Sequence, residues 1–508
     1  MRTTIRLGLI CSILISHQAG AQQTTQQTNQ EAHMEELVVS APFHKTQAET
    51  ALPVGILSGD DLRRIVNRSL GKTLAGQLGV HNASFGPGVG LPIIRGQSGP
   101  RVQVLQDGTG IADASRLSPD HVNGIDPTLA ERIEVIRGPA TLLYGNGAIG
   151  GVVNVIDGRI PTAAVASPDL TLGHSHNTAN DEDKTLFMLN AGLGQLNLHL
   201  DYTAMRGGRV DVPGLAVDEA LIVDAHHDED EMMDDDHAEE EEEEVFNTSG
   251  YIANSHSESD DASVGFSFVG ERGYLGFSVN QYETDYGLPP GSHEEHHEEE
   301  GMMEEHEDED EHGHEDEPPT FIRLELDQTR YDLAANLDFQ GSWAESLKAS
   351  INFTDYEHQE IEIEEGVAAP GTLFENQGYH SRFVLHHRHT AGWQGVLGLQ
   401  MSSTEFAAAG AEAFIPKTED DALALFIVER LDSGNFTWEL GARAESISLD
   451  PGSQCDQQDT TISASASLLY DLNSQTNLLV GASLSERAAS IEERFSNVDA
   501  ATCKLTEV

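Results

Sequence analysis

Basic residues are scarce in this chain: 28 Lys and Arg stand against 86 Asp and Glu in 508 residues, a formal charge of −58. A chain this acidic repels nucleic acid and draws cations, which excludes a nucleic-acid partner. Cysteine is nearly absent. Of the three present, Cys11 lies in an N-terminal leader, and Cys455 with Cys503 makes at most one pair, too few to be the scaffold of a chain this long. Apolar runs are short as well. No segment after the leader reaches ~18 uninterrupted apolar residues, so no transmembrane helix is predicted. Neither an ATP site nor a catalytic triad is apparent, and the chain does not read as an enzyme.

The acid is unevenly spread. Gly291 to Glu317, "GSHEEHHEEEGMMEEHEDEDEHGHEDE", holds fifteen carboxylates together with His293, His296, His297, His306, His312 and His314. Asp224 to Glu244, "DAHHDEDEMMDDDHAEEEEEE", holds fourteen more with His226, His227 and His237. Two runs thus carry 29 of the 86 acidic residues. Solvated acidic loops need no histidine, whereas imidazole nitrogen among carboxylates suits borderline metals such as zinc. Met232, Met233, Met302 and Met303 add thioethers, which suit Cu(I), but they are few beside the carboxylates. A flexible run offers weak, multiple and exchanging sites. It gathers ions and does not select among them. On this reading, taking a loop peptide from pH 7 to about 5.5 releases zinc, since histidine ligates only when neutral and its reference pKa is about 6.5. Calcium held by carboxylates alone is far less sensitive, and equal sensitivity of the two metals in a peptide titration would count against histidine ligation.

The rest divides into four parts. Residues 1–21 read as a secretory signal peptide: Arg2 and Arg6, then the apolar stretch Leu7 to Ile15, then Ala19-Gly20-Ala21 as a cleavage pattern. Residues 22–48 are a polar linker around a β-prone island, "EELVVSAP". Residues 49–160 read as a mixed α/β domain. Ser58 with Asp61 is a capping-box variant, Leu62, Ile65, Leu70, Leu74 and Leu78 recur at helical spacing, and Gly79 is the stop. Short Val/Ile strands with tight glycine turns follow it. From 165 to 508, segments of about ten residues alternate apolar and polar with period two, as in "QLNLHLDYTAM", "ASVGFSFVG" and "NFTWELGAR". Their connections alternate between short ("GLGQ", "VGERG", "LDSGN", "DLNSQT") and long, and both His/acid runs fall in long ones, at 218–246 and 291–319. That layout is an all-β transmembrane barrel of about fourteen strands, against a soluble β-sandwich or β-solenoid as the alternative.

Two stretches carry a family resemblance: "IRGQSGPRVQVLQDG" and, above all, "ERIEVIRGPATLLYGNGAIGGVVNVI". With "EELVVSA" as a TonB box (Glu36, Leu37, Val38, Val39, Ser40), they resemble the plug of TonB-dependent outer-membrane receptors. The resemblance implies a plug inside a barrel of twenty-two strands in the Gram-negative outer membrane, among its lipids, with energy from the TonB–ExbB–ExbD complex. About fourteen strands cannot close around such a plug, so an incomplete barrel is expected. The His/acid runs look like those of the zinc-uptake group within the family, and the tail "SERAASIEERF" resembles a barrel-strand segment seen there, with Ala489 where proline is common. The cargo implied is zinc as a transported ligand, with no prosthetic group.

A selective site belongs on rigid elements with few ligands. In the zinc-uptake group an adjacent Asp-His pair in the plug ligates zinc together with barrel residues, and Asp120-His121 in "LSPDHVNG" matches it. The barrel partners are expected in "DYEHQEIEIEE": His358 and Glu360 are preferred, with Glu357 and Glu375 as rivals. Two other readings stand beside zinc import. One is a receptor of the same architecture for haem or another metal chelate; the other is a surface metal-buffering protein without transport.

Overall fold

The structure, a computed structural model, describes residues 37–38, 45–46 and 54–505 apart from 117, 219–245, 291–319, 342, 411–412, 414, 453–454, 474–475, 497 and 500–503. Leu37–Val38, inside the expected TonB box, pairs with Lys45–Thr46; Glu36, Val39 and Ser40 lie outside the described residues.

Residues 54–156 build a five-stranded sheet in the order Val54–Ser58, Arg132–Ile136, Gly151–Ile156, Val102–Gln106, Thr109–Gly110. Its central strand, "GVVNVI", is a continuous apolar run because it is covered on both faces, and Val152, Val153 and Val155 are fully buried. It runs parallel to Val102–Gln106, and the other pairings are antiparallel. The single helix expected from Ser58 to Gly79 is two, Gly59–Ile65 and Leu70–Leu74. Local polar bonds break it between them. Thr73 Oγ1 accepts from the Asn67 amide at 3.0 Å, and Ser69 Oγ accepts from the Lys72 amide at 3.4 Å, giving the second helix its own N-cap. Leu78, 88% exposed, falls outside both.

Thirteen antiparallel strands, each bonded to its neighbour in sequence, form one sheet from Asp169–Asn177 to Thr476–Leu484. The expected all-β wall is there, with thirteen described strands where about fourteen were expected. The sheet is open: its first and last strands are not bonded to each other. Leu170, Phe266, Phe268, Leu275, Phe277, Leu425 and Trp438 are exposed on the outer face, while Ser263, Asn280, Asn352 and Thr354 are buried on the inner one. Apolar residues face out and polar residues face in, the inverse of a soluble sandwich. All four short turns read from sequence join neighbouring strands. The tail departs from expectation. Ile491–Phe495 is a helix and no strand, because Ser490 and Glu493 close a reciprocal capping box, Ser490 N donating to Glu493 Oε2 at 2.9 Å. Cys455 is disulfide-bonded.

Candidate metal centre

The wall strand Ala344–Glu364 ends on the side of the long connections, and its pleat sends even-numbered residues inward. Tyr356, His358 and Glu360 therefore face the plug, all buried. Odd-numbered Glu357 points out and pairs across strands with Glu375, likewise exposed, which removes both rivals. Opposite them, the plug's "SPDHVNG" turn presents Asp120 and His121, 2% and 1% exposed. Asp120, His121 and Glu360 each offer a ligand atom within 4.8 Å of the others'.

Hydrogen bonding fixes what each group can do. His121 Nδ1 donates to the Ala114 carbonyl oxygen at 3.4 Å, so Nε2 keeps its lone pair, and this nitrogen faces Glu360 Oε1 at 3.2 Å. A lone pair and a carboxylate in that contact need a cation between them, either a proton or a metal. Burial alone pushes the His121 pKa down, but the Glu360 hydrogen bond, the Asp120 and Glu360 charges and the Ala114 carbonyl outweigh it and raise it. Asp120 Oδ1 lies 4.0 Å from His121 Nε2 and accepts from the Ser118 hydroxyl. The His358 ring stands 4.7 Å from that of His121, centroid to centroid. His358 Nδ1 shares a hydrogen bond with the Tyr356 hydroxyl at 3.0 Å, and His358 Nε2 is buried with no hydrogen-bond partner among the described residues. Buried polar atoms are rarely left so.

One imidazole nitrogen and two carboxylates converge from plug and wall, with the His358 ring beside them. Ligands about 2.0–2.2 Å from a tetrahedral ion lie about 3.3–3.6 Å apart, and nitrogen with carboxylate oxygen is a donor set that zinc accepts. The 3.2 Å between His121 Nε2 and Glu360 Oε1 is close to such an edge. Around the set, Tyr286 Oη accepts from the Val122 amide at 3.1 Å and fixes the turn to the wall, and Phe374 packs on His121 at 4.8 Å. The sequence analysis missed Tyr286, Tyr356 and Phe374. The alternation in "NQYETDYG" was the signal for the first, since it puts Tyr282 and Tyr286 on the same inner face as Asn280.

The histidines expected to gather ions are not brought to this centre by any described contact. His226, His227 and His237 of the first run lie outside the described residues. So do His293, His296, His297, His306, His312 and His314 of the second. Among the described residues, the centre consists of Asp120, His121 and Glu360 with His358 beside them.

Comparison with known proteins agrees with this architecture. The TonB-dependent receptor plug domain matches residues 46–152, and the TonB-dependent receptor-like β-barrel matches residues 249–503. A hemin receptor of Yersinia pestis is 28% identical over 155 residues, 30% of this chain and 22% of the relative. Among solved structures, the copper transporter OprC superposes with a TM-score of 0.65 at 14% identity, covering 87% of this chain and 65% of that one. The FrpB iron transporter of Neisseria meningitidis gives 0.62 at 12%, covering 87% and 66%. The Serratia marcescens hemophore receptor HasR also gives 0.62 at 12%, covering 89% and 66%. Identities this low speak for the fold alone. The chain spans less than two thirds of each of these relatives.

Proposed function

Since the chain belongs to the TonB-dependent receptors, a family of outer-membrane transporters, we propose that it imports zinc, or a neighbouring divalent metal, into the periplasm. The observation that carries this reading is the buried His358 Nε2, without a hydrogen-bond partner among the described residues, beside the Asp120–His121–Glu360 cluster. Two carboxylates and two imidazoles leave a charge excess that one proton on His121 offsets only in part, and a divalent cation would balance it. On this reading the His/acid runs concentrate the ion outside. Asp120, His121, His358 and Glu360 then hold it at the junction of plug and wall. TonB, with ExbB and ExbD, draws on residues 36–40 from the periplasm. Because the ligands come from two bodies, moving the plug breaks the coordination without any chemical step. Nothing in this scheme calls for a prosthetic group.

The haem alternative draws on the Yersinia pestis relative, and the surface-buffer alternative on the exposed acid. A strain lacking its own metal receptors separates all three. Zinc import predicts rescue of growth by this chain on scarce zinc, with no rescue on haem as sole iron source, and loss of rescue when residues 35–41 are deleted. Rescue that survives that deletion overturns transport. Removing 224–244 and 291–317 together should weaken uptake when zinc is scarce and spare it when zinc is plentiful, since gathering raises local concentration without setting selectivity. An unchanged dependence of uptake on zinc concentration would remove the gathering role.

A further inference from the structure

A second group of metal-ligating side chains stands on the outside of the wall. His174 and His176 alternate on one face of Asp169–Asn177, continuing the outward row of Leu170 and Leu172. The next strand sets Asp183 directly across from His176. Both rings approach one carboxylate oxygen: His176 Nδ1 lies 3.2 Å and His174 Nε2 3.6 Å from Asp183 Oδ1. Asp181 adds a second carboxylate, 3.8 Å from His176 Nε2. All four side chains are exposed, from 43% for His176 to 92% for Asp181. They are held on a rigid platform. Turn 178–181 is tied to the foot of the small hairpin from which the 224–244 run springs, through Gly208 N to Asn180 O at 2.8 Å and Asp211 N to Ala179 O at 3.0 Å.

We infer that His174, His176, Asp181 and Asp183 form an external binding site for a borderline divalent cation such as zinc. The donors are two imidazoles and two carboxylates, the mixture that suits zinc over calcium or magnesium. Positions i and i+2 of a strand share a face, so the backbone has already aligned both rings. Side chains this exposed reorient at little cost, and a cation draws both ring nitrogens onto the carboxylate they already flank. Water reaches the site from all sides, so its ion exchanges quickly, in contrast with the buried cluster behind Tyr286. Its position at the root of a His/acid run gives it a role as a fixed first stop for ions gathered there. That role rests on the import reading; the binding itself does not.

The test uses the full chain in detergent with residues 224–244 and 291–317 removed and His121 replaced by Ala, so that neither the runs nor the buried cluster contributes. Cobalt(II) is the probe, since its visible absorption reports nitrogen and oxygen ligation. One cobalt per chain is expected, displaced by zinc, lost in His174→Ala/His176→Ala, and weakened at least tenfold in Asp183→Asn. Binding that is absent, or that persists unchanged in the double variant, overturns the site. Thermal melting without metal, unchanged in the double variant, shows that the loss is one of ligands and not of fold. Because His121 is already gone, the result stands whether or not the buried cluster holds metal.

Discussion

His121→Ala is expected to abolish tight zinc binding at the junction of plug and wall in a chain with both His/acid runs deleted. The argument is geometric. A rigid four-ligand site that loses one donor can refill the position only with water. Even groups that stand behind metal ligands are worth about 10–100-fold in affinity, so a direct ligand should cost about a hundredfold or more. Asp120→Ala should act in the same direction. His81, exposed on the hairpin of Val80–Ser84 and Gly90–Ile94, should be dispensable. A flexible run, in contrast, would substitute another of its histidines and lose little. The competing explanation is a structural ion pair between His121 and Glu360, and it has a different signature: lower metal-free stability with unchanged zinc affinity. Zinc titration and metal-free melting of the same variants tell the two apart. Zinc affinity at the level of the parent in both variants would make the pair a structural turn.

How much of this was legible in the sequence follows from how local each signal is. The wall was readable because period-two alternation and short polar turns are local, and "QLNLHLDYTAM" announces its strand without help from the rest of the chain. Asp120-His121 was legible only through a family motif, since a histidine in a polar turn has no signature of its own. The pleat decides among Glu357, His358 and Glu360, but only once Tyr356 is known to face inward. That the turn meets this strand at all was beyond local reading, because 239 residues separate His121 from Glu360. The plug helix was misjudged for a related reason. Leucines at helical spacing run straight through Val66–Ser69, while the break is made by Asn67 and Ser69 bonding to nearby groups. In "SIEERF" a strand was expected from resemblance although the capping box was present in the letters themselves.

The other large effect is expected at Arg159, where the plug passes into the wall. Its guanidinium is the cation shared by three carboxylates: Asp157 and Asp261 each at 3.2 Å and Asp201 at 4.0 Å. All four residues are buried. Asp201 and Asp261 belong to the wall strands Leu196–Gly207 and Ser257–Gly270, so the network ties the last segment of the plug to the barrel. The seat is tight. A Cβ on Gly265 would lie 1.9 Å from the Arg159 carbonyl oxygen, and one on Gly276 2.2 Å from Ile160 Cγ2. Arg159→Ala keeps this backbone fit but removes the guanidinium with its hydrogen bonds to Asp261, leaving buried carboxylates without their cation. Breaking a buried pair in this way costs about 3–5 kcal/mol. The expected result is a lowered melting temperature and faster proteolysis within 157–165. Adding Asp201→Asn and Asp261→Asn to Arg159→Ala should recover much of the loss, because the penalty lies in the uncompensated charge and not in the missing contact. Gly265→Ala should also loosen the segment, but by steric exclusion, and the two asparagines should not rescue it. If Arg159→Ala melts with the parent, the carboxylates are already neutral or screened, and the glycine groove alone seats the plug.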